Sequence, residues 1–186
     1  MGKTSEKEAE PRPTVLLDRD GTFLDDPGYL GDPEKLRFLP GAVEAMRELV
    51  EKGFRLIVVT NQSGIGRGYF SEEQALAVNL EMIRKLSELG VRLDGIYYCA
   101  HHPEEGCRCR KPGSMMVERA AMDFDLEEGA SWVVGDVDKD VHLGLNTGLR
   151  PILVETGKTE KGDIPFGVMT VPDLTAAARL IMEEGS

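Results

Sequence analysis

Short apolar runs that end abruptly in polar residues alternate with segments of helical periodicity along most of this chain. The apolar runs are predicted to be strands at residues 14–17, 55–59, 96–98, 131–134, 151–154 and about 168–171. The periodic segments are predicted to be helices over residues 42–52, 71 to about 89, 114–124, about 138–147 and 174–184. Strands that alternate with helices favour a parallel sheet with helices on both faces. We therefore predict an α/β fold with a three-layer, Rossmann-like parallel sheet.

A chain of 186 residues can bury one sizeable core, and neither a repeat nor a linker divides this sequence. We expect a single domain over residues 14–186. Residues 1–13 are polar and lack the apolar stretch of a signal peptide, so we interpret them as a mobile tail. No run approaches the roughly 18 apolar residues that suggest a membrane span, and no membrane contact is expected.

The composition is acidic, with a formal net charge of −11 and an isoelectric point near 4.8. Proteins that bind nucleic acid more often carry a basic face, so nucleic acid is not an expected partner. A small anionic ligand remains compatible, because the local field decides its binding. Three cysteines form a poor disulfide framework, which favours a reducing, cytoplasmic location. We expect the protein to be a monomer.

The first predicted strand ends in the sequence LLDRDGT, which places two carboxylates, Asp18 and Asp20, two residues apart. In open parallel sheets, ligands bind beyond the carboxyl ends of the strands. Carboxylates this close repel one another unless a proton or a cation intervenes, and Mg²⁺ prefers such hard oxygen ligands. Taken alone, the pattern fits either a magnesium site or an acidic turn.

Further polar motifs follow the next predicted strands in order. The second strand ends at Thr60, Lys111 follows the loop after the third, and the fourth ends in GDVDKD, which contains Asp136. Together with the D-x-D-x-T pattern that begins at Asp18, these four motifs resemble those of the haloacid dehalogenase-type phosphatases. The resemblance covers nearly the whole chain, and it implies a hydrolase of phosphate monoesters.

The resemblance also implies a role for each motif residue. Asp18 would be the nucleophile that forms an aspartyl-phosphate, and Asp20 would be the general acid and base. Mg²⁺ would be held by the Asp18 carboxylate, the Asp20 main-chain carbonyl and Asp136. Thr60 and Lys111 would hold the phosphoryl oxygens, since phosphoryl transfer depends on positioning and charge neutralisation.

All three cysteines lie in one polar segment, YYCAHHPEEGCRCRKPG, at residues 97–113. Cys99, His101, Cys107 and Cys109 form a Cys₃His set that suits tetrahedral zinc. The alternatives are a disulfide, buried structural cysteines or cysteine catalysis, and His102 competes with His101 as the ligand. Because four protein ligands leave no open position, the predicted role of zinc is structural. The zinc ion would fix the loop that carries the two basic residues Arg110 and Lys111.

The motifs DRDGT, TNQSGIGRG, C-x-H…C-x-C-R-K-P and GD-x-x-x-D together resemble the D-glycero-D-manno-heptose-1,7-bisphosphate 7-phosphatase family. This resemblance favours His101 as the zinc ligand and implies a phosphosugar substrate from heptose metabolism. It also implies that no large cap domain is present, and residues 23–40 have room only for a small flap. Arg110 would grip the second, non-reacting phosphate through its planar fork. The other predicted substrate-binding residues are Asp26, Pro27, Gly28, Tyr29, Asn61, Gln62 and Ser63.

Several positions leave alternatives open. Val137 stands where relatives often carry Lys, which removes a phosphate contact. Asp140 is interpreted either as a partner behind the metal ligands or as a solvated acid in the first turn of a helix. Gly64, Gly66 and Gly68 are predicted to form a flexible connection. Alternative functions are a histidinol-phosphate phosphatase, which shares the aspartate motifs and the zinc loop, and a non-catalytic protein that binds a phosphorylated ligand.

Overall fold

The computed structural model describes residues 11–127, 129–158 and 162–184, and within these ranges the chain forms one six-stranded sheet. The strand order is β3-β2-β1-β4-β5-β6, and every adjacent pair is parallel. The strands are β1 (Thr14–Leu17), β2 (Arg55–Asn61), β3 (Gly95–Cys99), β4 (Trp132–Gly135), β5 (Arg150–Val154) and β6 (Met169–Val171). The order reverses beside β1, so a crevice opens at the carboxyl ends of the central strands.

Helices alternate with these strands as predicted. They are α1 (Ala42–Glu51), α2 (Ser63–Gly66), α3 (Glu72–Glu88), α4 (Met115–Asp123), α5 (Asp138–Asn146) and α6 (Leu174–Glu184). Short 3₁₀ turns occur at Pro33–Lys35 and Pro103–Glu105. A capping box begins α3, because Ser71 Oγ accepts from the Gln74 amide at 3.2 Å while Gln74 Oε1 accepts from the Ser71 amide at 2.8 Å.

The sheet is buried on both faces, as side-chain alternation along each strand requires. Along β1, Val15 and Leu17 pack into the larger core, with residues of α1, α3 and α6. Leu16 points the other way, into a second core formed with residues of α4 and α5. The structure therefore has three layers, and the predicted fold class is confirmed.

The neighbouring strands β2 and β3 extend beyond their predicted carboxyl ends. Asn61 of β2 pairs with Cys99 of β3, although the sequence placed the strand ends at residues 59 and 98. Parallel pairing satisfies the backbone groups of these polar residues, which apolar patterning alone does not reveal. The extension places Thr60 and Asn61 directly beside the start of the cysteine segment.

The glycine-rich connection after β2 is a single helical turn, so the prediction of a flexible connection there is wrong. A Cβ on Gly66 would lie 2.3 Å from the His102 backbone nitrogen, and one on Gly64 would lie 2.2 Å from the Phe70 ring. Glycine is needed here for close approach rather than for mobility. The turn packs α2 tightly against the cysteine segment.

The connection between β1 and α1 forms a small flap and not a cap domain. The Asp25 amide donates to the Arg37 carbonyl and the Leu39 amide donates to the Phe23 carbonyl, both at 2.9 Å. Leu24 makes an antiparallel bridge to Phe38, so the flap is closed by hairpin-like contacts. No large cap is evident in the described part of the chain.

At the N-terminal side, ordered contacts begin before β1. Arg12 makes a parallel bridge to Leu126, and its guanidinium donates to the Gly53 carbonyl at 2.8 Å. Residues 1–10, which make up most of the predicted tail, lie outside the described residues. None of the described helices has the length and apolar character required to cross a bilayer.

Candidate active site

A cleft of about 210 Å³ opens at the carboxyl ends of the central strands. Three loops meet there, namely those that follow β1, β3 and β4. The cleft is lined by Asp18, Asp20, Asp26, Gly28, Asn61, Arg110, Lys111, Asp136, Val137, Asp138 and Lys139. Side chains that lie more than 90 positions apart in sequence thus share one site, and most of those predicted from the four motifs are among them.

Lys111 lies at the centre of the charged side chains although its own side chain is only 2% exposed. Its ammonium group forms an ion pair with Asp18 Oδ1, lies 2.6 Å from Asp140 Oδ1, and donates to the Val59 carbonyl at 2.9 Å. Burial alone lowers the pKa of Lys111, but the carboxylates of Asp140 and Asp18 more than offset this and raise it. The lysine is therefore charged in the site.

Asp136 is the second buried acid at the carboxyl edge of the sheet. Its carboxylate lies between two backbones, because a Cβ on Gly21 or on Gly157 would fall 2.5 Å or 2.0 Å from Asp136 Oδ2. Burial, reinforced by the nearby carboxylate of Asp140, raises the pKa of Asp136 to about 7. The pKa of Asp18 is also well above its usual value, chiefly because of burial.

Burial is the main cause of both raised pKa values, and the neighbouring carboxylates add to it. Ligand oxygens of Asp18, Asp136 and Asp140 lie within 4.8 Å of one another, and among them Lys111 supplies one positive charge. Crowded carboxylates favour proton uptake unless a cation compensates them. Hard oxygen donors at this spacing fit a divalent cation such as Mg²⁺, which accepts carboxylate and carbonyl oxygens.

Residues at the end of β2 connect this charge cluster to the rest of the cleft. Asn61 Oδ1 accepts from the Lys111 amide at 3.0 Å, which fixes the backbone of the lysine. The Gln62 side-chain amide donates to Thr60 Oγ1 at 2.9 Å and to Asp20 Oδ2 at 3.0 Å. Thr60, Asn61 and Gln62 therefore lie together beside the carboxylates, as the sequence predicted.

The flap forms the opposite rim of the cleft. Asp26 Oδ1 accepts from the Gly28 amide at 2.7 Å, which shapes a tight turn around the exposed Pro27. Tyr29 packs edge-to-face against Tyr69, with ring centroids 4.5 Å apart. A smaller cavity of about 50 Å³ joins this rim to the cleft and is lined by Asp20, Gly28, Tyr29, Leu30, Asn61, Gln62, Ser63, Gly64 and Phe70.

Arg110 lines the same cleft next to Lys111, and one end of its guanidinium is buried. Its Nη1 atom has no hydrogen-bond partner among the described residues. A buried, unpaired donor is costly, so an anion in the cleft would satisfy it. The structure thus brings a second cation to the place where a second anionic group could bind.

The cysteine segment gathers four ligand atoms within 4.8 Å of one another. Cys107 Sγ lies 3.5 Å from both Cys99 Sγ and Cys109 Sγ, and His101 Nδ1 lies 3.6 Å and 3.1 Å from the same two sulfurs. Ligands bonded to one tetrahedral zinc ion would be on the order of 3.6–3.8 Å apart. The geometry therefore fits one metal ion, and the sulfurs are too far apart for a disulfide, which needs about 2.05 Å.

The cluster also distinguishes between the two adjacent histidines. His101 points its Nδ1 atom at the sulfurs, whereas His102 Nδ1 accepts from the Glu104 amide at 3.3 Å and caps a 3₁₀ turn. Burial raises the pKa of the Cys99 thiol to about 12, so without a cation this thiol stays protonated. The four-residue set predicted from the sequence is the one the structure assembles.

Comparisons with known proteins identify relatives of this chain. A family model described as HAD-hydrolase-like matches residues 108–177. The chain is 44% identical to a D-glycero-beta-D-manno-heptose-1,7-bisphosphate 7-phosphatase of Yersinia pestis, over 78% of this chain and 82% of that protein. It is 42% identical to a protein of the same name from Escherichia coli K12, over 81% of this chain and 83% of the relative. The chain belongs to the D-glycero-D-manno-heptose-1,7-bisphosphate 7-phosphatase family.

Solved structures of the heptose bisphosphate phosphatase family share the fold. The structure of D,D-heptose 1,7-bisphosphate phosphatase from B. bronchiseptica, complexed with magnesium and phosphate, has a TM-score of 0.85 and 33% identity. It covers 92% of this chain, and 98% of that chain is matched. The predictions of a haloacid dehalogenase-like fold and of membership in a phosphatase family are thus confirmed.

For some residues near the site, the sequence left the role open or gave no signal. Asp140 is 1% exposed, its Oδ2 accepts from the Val137 amide at 3.2 Å and its Oδ1 pairs with Lys111, so it is a buried partner of the charge cluster and not a solvated acid. Lys139 lines the cleft only two residues after Val137, where a lysine was noted as missing. Arg19 and Asn79 were missed because buried polar residues within strand ends and helices resemble ordinary surface positions in a sequence.

Gly21→Ala tests the packing around Asp136. The added Cβ would meet Asp136 Oδ2 and displace the carboxylate, so we expect turnover to fall at least about 10-fold and the Mg²⁺ concentration for half-maximal activity to rise. Gly53→Ala is the matched control, because Gly53 also has a positive φ, of +92°, but nothing within 4 Å of the added atom. That variant should lose about 1–2 kcal/mol of stability and keep its turnover. Equal turnover in both variants would contradict this role of Gly21.

Proposed function

We propose that the protein is a Mg²⁺-dependent phosphatase that removes the C7 phosphate of D-glycero-D-manno-heptose 1,7-bisphosphate through an aspartyl-phosphate. The observation that carries this proposal is the cluster of Asp18, Asp136 and Lys111 in a cleft at the carboxyl edge of the sheet. The names of the relatives support the choice of substrate. The cleft also brings together Arg110, Lys111 and Lys139, which suits an anionic phosphosugar.

The carboxylates of Asp18 and Asp136 and the main-chain carbonyl of Asp20 would hold the Mg²⁺ ion. When bound, Mg²⁺ supplies positive charge that offsets the charge of the phosphoryl group and of the nucleophile. The raised pKa values of Asp18 and Asp136 support this assignment, because burial disfavours the charged carboxylates and a bound cation would stabilise them. Magnesium in the complex of the B. bronchiseptica relative agrees with it.

The side chains of the cleft can carry out the two half-reactions. A carboxylate oxygen of Asp18 attacks the phosphorus, the bond from phosphorus to the C7 oxygen breaks, and Asp20 gives its proton to that oxygen. In the second half, Asp20 takes a proton from a water molecule that attacks the phosphorus of the aspartyl-phosphate. Inorganic phosphate leaves and the Asp18 carboxylate is restored. Lys111 and Thr60 would hold the phosphoryl oxygens throughout.

The second phosphate of a bisphosphate would bind at Arg110. The buried Nη1 of Arg110 lacks a partner among the described residues, and a phosphate oxygen provides the acceptor it needs. Lys139 lines the same cleft, and its ammonium group can add to the attraction at the N-terminus of α5. Asp26, Gly28 and Tyr29 on the flap, with Ser63 across from them, would contact the sugar between the two phosphates.

We propose that Cys99, His101, Cys107 and Cys109 bind a structural zinc ion. The distances among the four ligand atoms support tetrahedral coordination with every position taken by protein. The segment between Cys99 and Lys111 has only one 3₁₀ turn of its own, so the ion would replace a hydrophobic core as its anchor. Reduced thiols are required for this site, which favours action in the cytoplasm. The monomeric state remains a prediction.

The substrate is tested by phosphate release with Mg²⁺ from both anomers of the heptose 1,7-bisphosphate, fructose 1,6-bisphosphate, histidinol phosphate and an aryl phosphate. We expect the highest kcat/KM for one heptose anomer, since only a bisphosphate of suitable length uses both ends of the cleft. Asp18→Asn should abolish turnover and keep the fold, because an amide is a poor nucleophile. Asp123→Asn, on α4 and hydrogen-bonded to Tyr97, is the control and should remain active.

Three outcomes of that panel would contradict the proposal. A preference for histidinol phosphate would keep the reaction and replace the substrate. Binding of phosphorylated sugars without any turnover would favour a non-catalytic role. Appreciable activity of Asp18→Asn would remove Asp18 as the nucleophile.

Arg110→Ala tests the second phosphate subsite. Loss of a charge-assisted hydrogen bond costs about 1.5–3 kcal/mol, so kcat/KM for the bisphosphate should fall roughly 10- to 100-fold while that for a monophosphate changes little. Arg108→Ala is the matched control in the same loop, since the Arg108 guanidinium is exposed and lies 3.6 Å from Glu118. Equal losses for bisphosphate and monophosphate would refute a role in binding the second phosphate.

Cys107→Ser tests the zinc site and its effect on the loop. We expect loss of bound zinc by elemental analysis and a higher KM, because the loop that carries Arg110 and Lys111 loses its anchor. His102→Asn is the control, since it keeps an acceptor for the Glu104 amide and lies outside the ligand set. Unchanged KM and kcat in protein verified to be free of zinc would contradict this account of the loop.

A further inference from the structure

A fully buried arginine lies between the two acidic residues of the first motif. The Arg19 side chain is 0% exposed, and its Nε donates to both Asp20 oxygens at 3.1 Å. Its Nη2 donates to Asp20 Oδ2 and to Gln62 Oε1, both at 2.9 Å. Its Nη1 donates to Asn79 Oδ1 at 3.0 Å. Every nitrogen of the guanidinium is therefore engaged.

Burial of a guanidinium is costly unless its donors are paired, so this arrangement requires a specific reason. Asn79 supplies one partner from the middle of α3, where asparagine is an unfavourable residue for the helix. Gln62 supplies another, from the turn after β2, and its amide also holds Thr60 Oγ1 at 2.9 Å. Two other segments of the chain thus converge on Arg19, and the adjacent Asp20 is the partner that faces the cleft.

The two carboxylate oxygens of Asp20 accept different numbers of hydrogen bonds. Oδ2 accepts three hydrogen bonds, from Arg19 Nη2 at 2.9 Å, Arg19 Nε at 3.1 Å and Gln62 Nε2 at 3.0 Å. Oδ1 accepts one, from Arg19 Nε at 3.1 Å. An oxygen that faces three donors is a poor place for a proton, whereas Oδ1 keeps a free lone pair. The Asp20 side chain is 21% exposed and lines the cleft.

We propose that Arg19 and Asn79 are positioning residues for Asp20, which they hold by Oδ2 so that Oδ1 is the oxygen that transfers the proton. This inference rests on the proposed function, because it assumes that Asp20 is the general acid and base. In the first half-reaction the proton on Oδ1 passes to the sugar oxygen as its bond to phosphorus breaks. In the second half-reaction Oδ1 takes a proton from the attacking water, and Oδ2 keeps its hydrogen bonds in both halves.

Neither Arg19 nor Asn79 lines the cleft, so both act through Asp20 and not through the substrate. Loss of either residue should therefore impair proton transfer and leave the binding of phosphate unchanged. A sugar oxygen is a poor leaving group and needs the proton, whereas a nitrophenolate leaves without it. Sensitivity to the leaving group thus separates misplacement of Asp20 from a general loss of structure.

The test compares kcat/KM for the best sugar phosphate of the panel with kcat/KM for 4-nitrophenyl phosphate. Asn79→Leu removes the acceptor for Nη1 and keeps the branched shape of the side chain. Arg19→Lys keeps the charge but loses the planar fork, and it provides a second variant if the first does not fold. We expect the sugar phosphate value to fall on the order of 10- to 100-fold, with KM little changed, and the aryl phosphate value to fall less than about 3-fold.

Val78→Ala is the matched control, because Val78 is buried next to Asn79 on α3, packs in the hydrophobic core and has no hydrogen-bonding group in its side chain. It should reduce stability without any dependence on the leaving group. Asp20→Asn is the reference, because it removes the acid directly and should give the same dependence more strongly. Circular dichroism and melting temperature establish that each variant is folded.

The outcomes separate this inference from the proposed function. If Asp20→Asn lowers kcat/KM equally for both substrates, the acid role of Asp20 is wrong, and the positioning role is wrong with it. Asp20→Asn could show the dependence on the leaving group while the folded variants Asn79→Leu and Arg19→Lys lower kcat/KM equally for both substrates or for neither. That result would overturn the positioning role alone. A selective loss with the sugar phosphate in either variant, and none in Val78→Ala, supports the proposal.

Discussion

The charge balance around Lys111 is the constraint on which the rest of the site depends. A buried ammonium group costs several kcal/mol unless carboxylates compensate it, and Asp18 and Asp140 supply that compensation. With Asp136 alongside, however, carboxylates outnumber the ammonium group, and burial raises the pKa values of Asp18 and Asp136. A proton or a further cation would compensate this excess of negative charge. In the proposed function a metal ion compensates it, and a phosphate then binds.

Lys111 itself comes from a segment with little regular structure, so its position must be imposed from outside. The Lys111 backbone amide donates to Asn61 Oδ1 at 3.0 Å. The Gln62 backbone amide donates to the Cys99 carbonyl at 2.8 Å, which joins the end of β2 to the start of the cysteine segment. The Cys₃His cluster gathers the middle of the segment. Loops in α/β folds often carry function because a rigid sheet positions them, and here the sheet and the cluster share that task.

Much of this arrangement can be predicted from the sequence. The limits of β1 and α6 agree with the prediction, and the other predicted strands and helices differ by one or two residues at their ends. Apolar runs reveal the centres of buried strands, but the added pairing of Asn61 with Cys99 depends on a neighbouring strand that the local pattern does not encode. The turn at Gly64–Gly66 was missed for a similar reason. Its glycines are required by close contacts with Phe70 and His102 and not by their neighbours in sequence.

The sequence by itself determined the alternation of strands and helices, the order of the four motifs and the grouping of three cysteines and two histidines in one segment, since each depends on residue type and spacing along the chain. Only the tertiary structure decided that His101 and not His102 joins the cluster, that Asp140 is buried against Lys111, and that Arg19 meets Asn79. The last contact joins residues 60 positions apart. A buried charge needs hydrogen-bonding partners, and these come from segments that are distant in sequence. The local spacing of residues therefore does not predict them.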